Sequence, residues 1–408
     1  MEPLKVLVDS AHHRCELNAV HSAMIQRYLT ENGHQVTSDE HEADVIIINT
    51  CGYHEVLRDV SIALYEKYHT RNPDKKILLY GCLVNIKDDR LQNIAADLVG
   101  FSDDALFDSL FMRTTPFQRF TPYCDRSRST PCETPQLLPI PNSFLTRLLL
   151  PWSKTMKADY DHLMSARDYQ NKMVVQISTG CLGNCHYCAI KKAKGALKSR
   201  PIDAILADIR KMDNPSAPLY LVADDCSCYG LDIGTDLFHL ISRIHEAFPT
   251  LSIQISYISP NLLLSNQEKY EALLADSPIT YVTIPLQSGS QNILAAMNRH
   301  YDPKEVIVAV KKLRRISPDI LIEGHFIVGY PGETLLDFLK SLALSRYFDF
   351  PLSFSYSETK DVKSASLPGK KSEATKDIRN LVMTVAANGI VAYRLLKRGS
   401  RKNGTAQE

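Results

Sequence analysis

Three cysteines, Cys181, Cys185 and Cys188, stand close together in the stretch STGCLGNCHYCA. Thiolates are the usual ligands of iron–sulfur cubes, and a 4Fe-4S cluster ordinarily takes four of them. Three thiolates on one short loop would hold three irons and leave the fourth open to an outside ligand. Tyr187 is aromatic and could lie against a flat group of that ligand. Zinc is the alternative, with His186 or a distant residue as fourth ligand, but zinc sites favour paired two-residue spacings.

Three other cysteines follow apolar segments in the first hundred residues. Cys51 ends the run IIINTC, Cys82 ends LLYGC, and Cys15 lies one loop after LKVLVD. If these runs are neighbouring parallel strands, their carboxyl ends share one edge, and the three sulfurs can converge from distant positions. A second three-ligand cluster site fits this layout. The alternative is that each cysteine is a small buried residue at a strand end.

The segments around these three cysteines alternate between strand and helix. Apolar runs at LKVLVD, ADVIIIN and KILLY predict buried strands, and helical spacing predicts helices over residues 19–31 and 54–68. This order predicts a βαβαβ unit with a parallel sheet and right-handed crossovers. We therefore expect a Rossmann-like three-layer α/β domain over residues 1–100.

Residues 101–167 break the alternation. Seven prolines lie between positions 116 and 151, a density that disfavours a regular central strand and suits a crossing between domains. We predict a linker with some helix near its end. Cys124 and Cys132 fall in this segment and are expected to be plain thiols.

A second alternation spans residues 168–365. Helical stretches separate six apolar segments, which are MVVQIST, LYLVADD, SIQISYI, YVTIPLQ, ILIEGHFIVGY and FPLSFSYS. The pattern predicts a partial (βα)6 barrel of TIM type, with its active site at the carboxyl ends of the strands. The cysteine triplet lies on the loop that leaves the first of these strands. Residues 366–408 predict one further helix, over 374–396, and a disordered tail.

Composition limits the class of protein. The chain has 408 residues and 44% hydrophobic content, enough for two or three domains. Lys and Arg total 47 against 46 Asp and Glu, so the overall charge requires no polyanionic partner. No apolar run approaches the ~18 residues that span a bilayer, and no export signal is evident. We expect a cytoplasmic protein without a membrane partner, whose cysteines are ligands, catalytic thiols or buried residues rather than disulfides.

The CxxxCxxC triplet, on that loop of a partial barrel, resembles the signature of the radical S-adenosylmethionine (SAM) superfamily. The resemblance implies that the open iron is chelated by the amino and carboxylate groups of SAM. An electron from the cluster then cleaves the sulfonium and releases a 5′-deoxyadenosyl radical, which abstracts hydrogen from an unreactive C–H bond. This chemistry implies an electron donor of flavodoxin or ferredoxin type.

The segments around the other three cysteines resemble the N-terminal domain of the methylthiotransferase family, radical SAM enzymes that insert sulfur into tRNA bases or a ribosomal protein. The resemblance covers most of residues 5–365 and rests on RCELN, ADVIIINTC, LLYGCL, GCLGNCHYCAI, KGALKSRP, YGLD, IPLQSGSQNILAAMNRHY and FIVGYPGET. It implies that Cys15, Cys51 and Cys82 hold an auxiliary 4Fe-4S cluster whose open iron carries the sulfur to be transferred. One SAM would supply the methyl group and another the radical, and a sulfur donor would be a further partner.

Polar residues and glycines at the strand ends are the expected contacts of SAM, because they face the mouth of the barrel. Glycines there would permit close backbone approach to the cofactor. Solvation of the loops is the alternative. The residues are Asp225 and Tyr229 after the second strand, Gln287 and Ser288 after the fourth, and Gly329, Gly332 and Glu333 after the fifth.

Several features depart from the family. Members that modify tRNA usually end in an all-β RNA-binding domain called TRAM, and the residues after FSYS predict helix and tail instead. We therefore expect a small molecule, natural product or peptide as substrate, with tRNA or a ribosomal protein as the alternative. Basic runs at residues 191–200 and 311–315 attract phosphate but are typical of solvated faces. The family's acidic residue after RCELN is His21 here, and its arginine before the glycine is Lys194.

Cys226 and Cys228 lie in DDCSCYG, at the rim of the predicted active site. They are interpreted either as substrate-contacting or relay thiols or, preferably, as a buried structural pair. Two functions compete with sulfur insertion. A cobalamin-dependent radical SAM methylase is suggested by the DSAHH loop but leaves the three strand-end cysteines unexplained. A non-catalytic iron–sulfur protein would need no SAM pocket and so no FIVGYPGET strand.

Overall fold

The computed structural model describes residues 2–13, 15–126, 171–360 and 362–404, which form two α/β units packed against each other. The elements of the N-terminal unit are β1 (Lys5–Ser10), α1 (Glu16–Glu31), β2 (Gln35–Thr37), β3 (Val45–Thr50), α2 (Glu55–Arg71), β4 (Lys76–Gly81), α3 (Cys82–Asn85), a 3-10 turn (Asp89–Leu91), β5 (Asp97–Val99), α4 (Asp104–Phe111) and a 3-10 turn (Phe117–Arg119).

The N-terminal strands form one parallel sheet in the order β2-β1-β3-β4-β5. All six residues of β3 are buried, because a central parallel strand is covered by helices on both faces. Tyr28 and Phe107 pack on one face and Tyr65 and Tyr68 on the other. The predicted Rossmann-like βαβαβ unit is confirmed. The edge strands β2 and β5 were missed, because three residues each carry too little periodicity.

Part of the predicted linker belongs to this N-terminal core. The rings of Phe107 and Phe117 stack with centroids 4.4 Å apart, and both pack against Tyr28 of α1. The chain then enters β6 (Tyr123–Asp125), which pairs antiparallel with β7 (Met173–Gln176) of the second unit. The rest of the predicted linker, with Cys132 and the expected helix, lies outside the described residues.

The second unit continues from β7 through alternating strands and helices. They are β8 (Ser178–Thr179), α5 (Ile190–Lys194), β9 (Lys198–Ser199), α6 (Ile202–Met212), β10 (Leu219–Val222), a 3-10 turn (Cys226–Cys228), α7 (Leu237–Ala247), β11 (Ile253–Ile255), α8 (Pro260–Ser265), α9 (Gln267–Asp276), β12 (Ile279–Gln287), α10 (Gln291–Ala296), α11 (Pro303–Ile316), β13 (Leu321–Val328), α12 (Leu335–Ser345), β14 (Phe350–Ser355), a 3-10 turn (Lys363–Ser366) and α13 (Glu373–Gly404).

Six parallel strands of this unit are ordered β14-β13-β12-β11-β10-β7, with β6 beyond β7. Helices α6, α7 and α11 bury their apolar stripes, including Ile205, Leu240 and Val310, against one face of the sheet. Within the described ranges β14 does not pair with β7, so the predicted partial (βα)6 barrel is confirmed. Helix α13 continues to Gly404, past the predicted end at residue 396. No helix in the described part of the chain is long and apolar enough to cross a membrane.

Helix α1 joins the two units, because it packs on the concave face of the barrel sheet. Val20 contacts a cluster that includes Val174, Tyr220 and Phe350. Val175, the neighbour of Val174, belongs to the core on the opposite face, as the alternation of side chains along a strand requires. The imidazole of His21 on the same helix lies between the Tyr80 hydroxyl of the N-terminal sheet and Gln176 of the barrel. Histidine at this position, where the family has an acidic residue, therefore has a structural role.

Candidate active site

The first cysteine triplet lies on the loop between β8 and α5. The Gly183 N–H donates a hydrogen bond to Cys181 Sγ over 3.1 Å, and a Cβ at Gly183 would lie 3.2 Å from Cys181 Sγ and 3.9 Å from Cys185 Sγ. The pKa of Cys188 is raised to about 12, mainly by loss of contact with water and in part by Cys185 and Cys181. Gly183 therefore keeps space free beside the sulfurs of Cys181 and Cys185, and ligation of a 4Fe-4S cluster by the three cysteines stays a prediction.

The second triplet lies at one edge of the N-terminal sheet. Cys15 is the N-cap of α1, Cys51 directly follows β3, and Cys82 begins α3 directly after β4. Burial raises the pKa of Cys51, and Cys15 and Cys82 raise it further; burial also raises the pKa of Cys15 to about 12. A Cβ at Gly52 would lie 3.1 Å from the Cys82 carbonyl, so a glycine permits this approach of strand ends. The three thiols therefore influence one another at this edge, and their ligation of a second cluster stays a prediction.

Tyr53, two residues after Cys51, reaches the barrel. Phe354 on β14 meets its ring edge-on, with centroids 5.9 Å apart. Burial of the phenol raises its pKa, and Cys188, Cys51 and Cys15 contribute to the rise, although 58% of the residue's surface stays exposed. We call the space beside the rings of Tyr53 and Phe354 the cavity.

A buried ion pair lies beside both triplets. Lys194 Nζ is 2.8 Å from Asp224 Oδ1, and their side chains are 5% and 2% exposed. Burial opposes the charge of Lys194, but Asp224, Cys82 and Cys15 raise its pKa. Asp224 also acts on Cys188 of the first triplet. The arrangement places a fixed positive charge where thiolate ligands bring negative charge.

Three further side chains line the cavity on the barrel side. His325 on β13 holds Nε2 2.7 Å from Glu323 Oε1, and its ring lies 5.5 Å from that of Tyr257 and 5.2 Å from that of Phe354, measured between centroids. Burial raises the pKa of Tyr257, and Glu16, Tyr53 and Cys15 are among the groups that raise it further. Tyr257 and His325 therefore belong to the same cavity as Tyr53.

The floor of this cavity carries buried charge. Burial raises the pKa of Glu16, Glu323 raises it further, and Lys172 and His325 lower it. Tyr220 donates a hydrogen bond to Glu16 over 3.3 Å, and Lys172 Nζ lies 4.7 Å from the centre of the Tyr220 ring. These residues were not predicted as site residues. The alternation of side chains along a strand could have placed them on the inner face of the barrel sheet. The same alternation is equally typical of packed core residues.

Among the predicted SAM contacts, Asp225 lies at the first triplet, with Oδ2 3.9 Å from Cys181 Sγ. Tyr187 is beside the same sulfurs, packed edge-on against Tyr330 at 6.5 Å between centroids. Tyr229 instead donates its hydroxyl to the Arg200 carbonyl over 2.7 Å and is fully buried. Contact with SAM stays a prediction for all of these residues.

At the fourth strand end, Gln287 adopts a φ of +64°, and its Oε1 is buried without a hydrogen-bond partner in the described part of the chain. Ser288 is turned away, because its Oγ lies 3.3 Å from Ser341 Oγ. An orphaned buried oxygen indicates a missing donor. Gln287 is therefore the stronger candidate for binding a group that enters the barrel mouth.

At the fifth strand end, Glu333 has a structural role. Its Oε2 accepts the Gly329 N–H over 2.7 Å and pairs with Arg379 of α13. A Cβ at Gly329 would lie 2.5 Å from Lys376 Cγ, so the packing of α13 against this position favours a glycine, independently of any cofactor. Gly332 has a φ of +82° and open space around its Cα. Glu333 Oε1 has no partner among the described residues and leaves one oxygen for a ligand.

The fold and the first triplet define the class: this is a radical SAM enzyme. Residues 175–344 match the model of the radical SAM superfamily, and residues 9–100 match that of the uncharacterized protein family UPF0004. These two matches, together with the relatives described below, support a radical SAM methylthiotransferase family, which implies SAM and 4Fe-4S clusters as cofactors. The predicted family, enzyme type and cofactors are thereby confirmed.

Relatives and solved structures agree with this assignment. The ribosomal protein uS12 methylthiotransferase RimO of Desulforamulus reducens is 29% identical, over 87% of this chain and 76% of the relative. A probable threonylcarbamoyladenosine tRNA methylthiotransferase of Pyrococcus abyssi is 26% identical, over 84% of this chain and 74% of the relative. The structure of the cobalamin-dependent SAM radical enzyme OxsB with aqua-cobalamin is similar with a TM-score of 0.52 and 13% identity. That match covers 96% of this chain but 56% of the OxsB chain, and it shows the fold alone.

Proposed function

We propose that this enzyme replaces a C–H bond by a C–S bond, with radical generation at one cysteine triplet and the sulfur held at the other. The radical site is Cys181, Cys185 and Cys188, and the sulfur site is Cys15, Cys51 and Cys82. The observation that carries the proposal is the direct contact between the segments that follow the two triplets: Asn85 Nδ2, three residues after Cys82, donates to the Ala193 carbonyl, five residues after Cys188, over 2.6 Å. A substrate beside Tyr53 would be exposed to both sites at once.

A cluster held by Cys181, Cys185 and Cys188 would, with SAM, supply the 5′-deoxyadenosyl radical, and a cluster held by Cys15, Cys51 and Cys82 would supply the sulfur. The protein's own groups hold and shield the reacting atoms. The rings of Tyr53, Tyr257 and Phe354 are partly exposed, so a bound substrate would cover them and displace water from the reacting carbon, which protects a carbon radical from side reactions. Lys194 offsets negative charge at the sulfur site. His325 Nε2 lies 2.7 Å from Glu323 Oε1, so an imidazole that carries one proton and donates it to Glu323 offers Nδ1 as an acceptor to a substrate.

We propose a planar base in an RNA loop as the substrate. Three aromatic rings around one cavity are suited to stacking a base, and the acceptor of His325 suits an amino group on its edge. Lys191 and Lys192 are exposed on α5, within a turn of Cys188, where they can contact phosphate. The names of the relatives supply a second candidate, a side chain of ribosomal protein uS12. The small molecule expected from the sequence has no comparable support.

A cobalamin-dependent radical SAM enzyme, OxsB, has a similar fold, so a cobalamin-dependent methylase is the competing function. The edge of the N-terminal sheet, however, carries three thiols that act on one another, and His12 Nδ1 lies 3.6 Å from Cys51 Sγ. Sulfur insertion accounts for this cluster of thiols and cobalamin binding does not. Full activity of cobalamin-free enzyme would exclude the methylase.

Iron counting and product analysis test the proposal together. Anaerobically reconstituted protein should hold about eight irons per chain, and alanine at all three cysteines of either triplet should leave about four. With SAM and a reductant, the enzyme should add a methylthio group to a nucleoside of tRNA, detected by mass spectrometry of the digested RNA. An iron count unchanged in the Cys15, Cys51 and Cys82 variant would refute the second cluster. Modification of uS12 instead of tRNA would select the second candidate.

A further inference from the structure

A fourth thiol lies at the first triplet. Cys228 ends the 3-10 turn after β10 and is 2% exposed. Its Sγ is 3.3 Å from Asp225 Oδ2, and Cys181 Sγ is 3.9 Å from the same oxygen. The ligand atoms of Cys181, Asp225 and Cys228 all lie within 4.8 Å of one another. Cys228 is therefore close to one of the sulfurs assigned to the radical cluster.

Local backbone geometry holds Cys228 in this place. Asp225 is the N-cap of the turn, and its Oδ1 accepts the Ser227 N–H over 3.1 Å and the Ser227 hydroxyl. The Cys228 N–H bonds the Asp225 carbonyl over 3.3 Å. The thiol is thus presented by a capped turn directly after a barrel strand, and its position does not depend on a flexible side chain.

Iron binding changes which groups can donate a hydrogen bond here. Cys181 loses its proton when its sulfur becomes a cluster ligand. The S–H of Cys228 then stands beside two acceptors, the Cys181 sulfur and the Asp225 carboxylate. A hydrogen bond to a ligating sulfur stabilises the more negative, reduced cluster, and such bonds are among the factors that set cluster potentials. If the Cys228 S–H instead donates to the Asp225 carboxylate, it offsets negative charge next to the Cys181 sulfur. The reduction potential of the cluster is raised in that case as well.

We propose that Cys228 is a positioning residue for the radical cluster, whose thiol donates a hydrogen bond at the Cys181 sulfur and raises the reduction potential of the cluster. The inference rests on the proposed assignment of Cys181, Cys185 and Cys188 as cluster ligands. It gives the second cysteine of DDCSCYG a role in the electron-transfer step that precedes radical formation.

Cys226 provides a matched control two positions away. It is fully buried, and its Sγ lies 3.6 Å from the Leu221 carbonyl and 3.5 Å from Ser256 Oγ. Cys226 packs in the core beneath the outer helices of the barrel. A purely structural role, the interpretation favoured from the sequence, therefore fits Cys226 but not Cys228.

The test compares reconstituted full-length wild type with Cys228→Ala, Cys228→Ser and Cys226→Ala. Iron content is measured, and the midpoint potential is obtained by redox titration of the electron paramagnetic resonance signal that responds to added SAM. At the wild-type midpoint, Cys228→Ala should hold the wild-type iron content and show about a tenfold lower ratio of reduced to oxidised cluster, which corresponds to about 59 mV. Cys228→Ser keeps a donor and should stay at or above the wild-type midpoint, and Cys226→Ala should not shift.

The possible results separate this inference from the proposed function. Full iron with an unchanged midpoint in Cys228→Ala overturns the inference, as does an equal shift in Cys226→Ala. If Cys228→Ala loses iron, its midpoint cannot be compared, and the Cys228→Ser variant is used instead. A midpoint potential of Cys228→Ser below that of wild type overturns the inference. Wild-type protein without a SAM-responsive cluster would instead refute the proposed function.

Discussion

Replacing His21 by glutamine should make the stability of the apoprotein less sensitive to acid. His21 lies buried on α1, with Nδ1 2.7 Å from the Tyr80 hydroxyl and Nε2 3.0 Å from Gln176 Oε1. Tyr80 belongs to the N-terminal sheet and Gln176 to the barrel, so the imidazole joins the two units. The pKa of His21 is lowered to about 3, mainly by burial and in part by Lys194. The folded protein therefore keeps this imidazole neutral.

The magnitude follows from proton linkage. An unfolded histidine titrates near pH 6.5, so below that pH the unfolded chain binds a proton that the folded chain does not bind until about pH 3. Protons bound preferentially by the unfolded state destabilise the folded state as pH falls through this window. At 1.36 kcal/mol per pKa unit, the free energy of unfolding should fall by about 2 kcal/mol between pH 7 and pH 5 because of His21 alone.

Urea denaturation of both proteins, followed by circular dichroism from pH 8 to pH 5, measures this contribution. Glutamine can accept from Tyr80 and donate to Gln176 as the neutral imidazole does, but it does not titrate. The stability of wild type relative to His21→Gln should therefore fall by about 2 kcal/mol from pH 7 to pH 5. Carboxylates elsewhere affect both proteins equally and cancel. A parallel loss of stability in the two proteins would refute the buried neutral state of His21.

Three further substitutions test the site. Arg379→Met leaves the fully buried Glu333 without its cation and should lower the free energy of unfolding by about 3–5 kcal/mol, measured by thermal or urea denaturation. Arg379→Lys keeps a cation and should lower it less. Equal stability of Arg379→Met and wild type would contradict this prediction. Gly183→Ala places a Cβ 3.2 Å from Cys181 Sγ and should reduce total iron from about eight towards about four per chain, while Gly389→Ala, which meets nothing within 4 Å, should keep full iron. Lys194→Met leaves Asp224 without its cation and should lower the free energy of unfolding by about 3–5 kcal/mol. In a Cys185→Ala background, where only the second triplet is intact, Lys194→Met should also lower the iron content. Full iron content in that double variant would refute a role for Lys194 at the second triplet.

The position of the second triplet was predictable because it depends on short-range patterns. Three apolar runs predicted β1, β3 and β4, and parallel strands linked by helices must share one carboxyl edge. The structure places β1, β3 and β4 side by side, so the segments that carry Cys15, Cys51 and Cys82 all leave the same edge of the sheet. The first triplet was also predictable, because its three cysteines lie within eight residues of one loop.

The rest of the site depends on contacts between distant segments, which periodicity does not contain. Tyr53 is two residues after Cys51, yet its importance arises from Phe354 and Cys188 across the domain contact. His325 alternates with core residues on a strand, and no pattern in β13 distinguishes a cavity position from a packed one. Cys228 and Cys226 share one sequence environment, and the turn at Asp225 alone separates their roles.

The domain contact also determines how far apart the two triplets lie. Cys15 caps α1, and five and six residues later Val20 and His21 of the same helix pack on Val174 and Gln176 of β7.

Strand β7 leads directly to the loop of Cys181, so one helix and one strand connect the triplets through buried contacts. On the other side, α3 begins at Cys82, and Asn85 Nδ2 at its end donates to the Ala193 carbonyl of α5 over 2.6 Å. Helix α5 follows Cys188 by two residues. Both routes run through packed cores, whose dense interiors permit little displacement. A radical and a sulfur atom that must reach the same carbon need such a fixed separation, because small errors in placement cost large factors in rate.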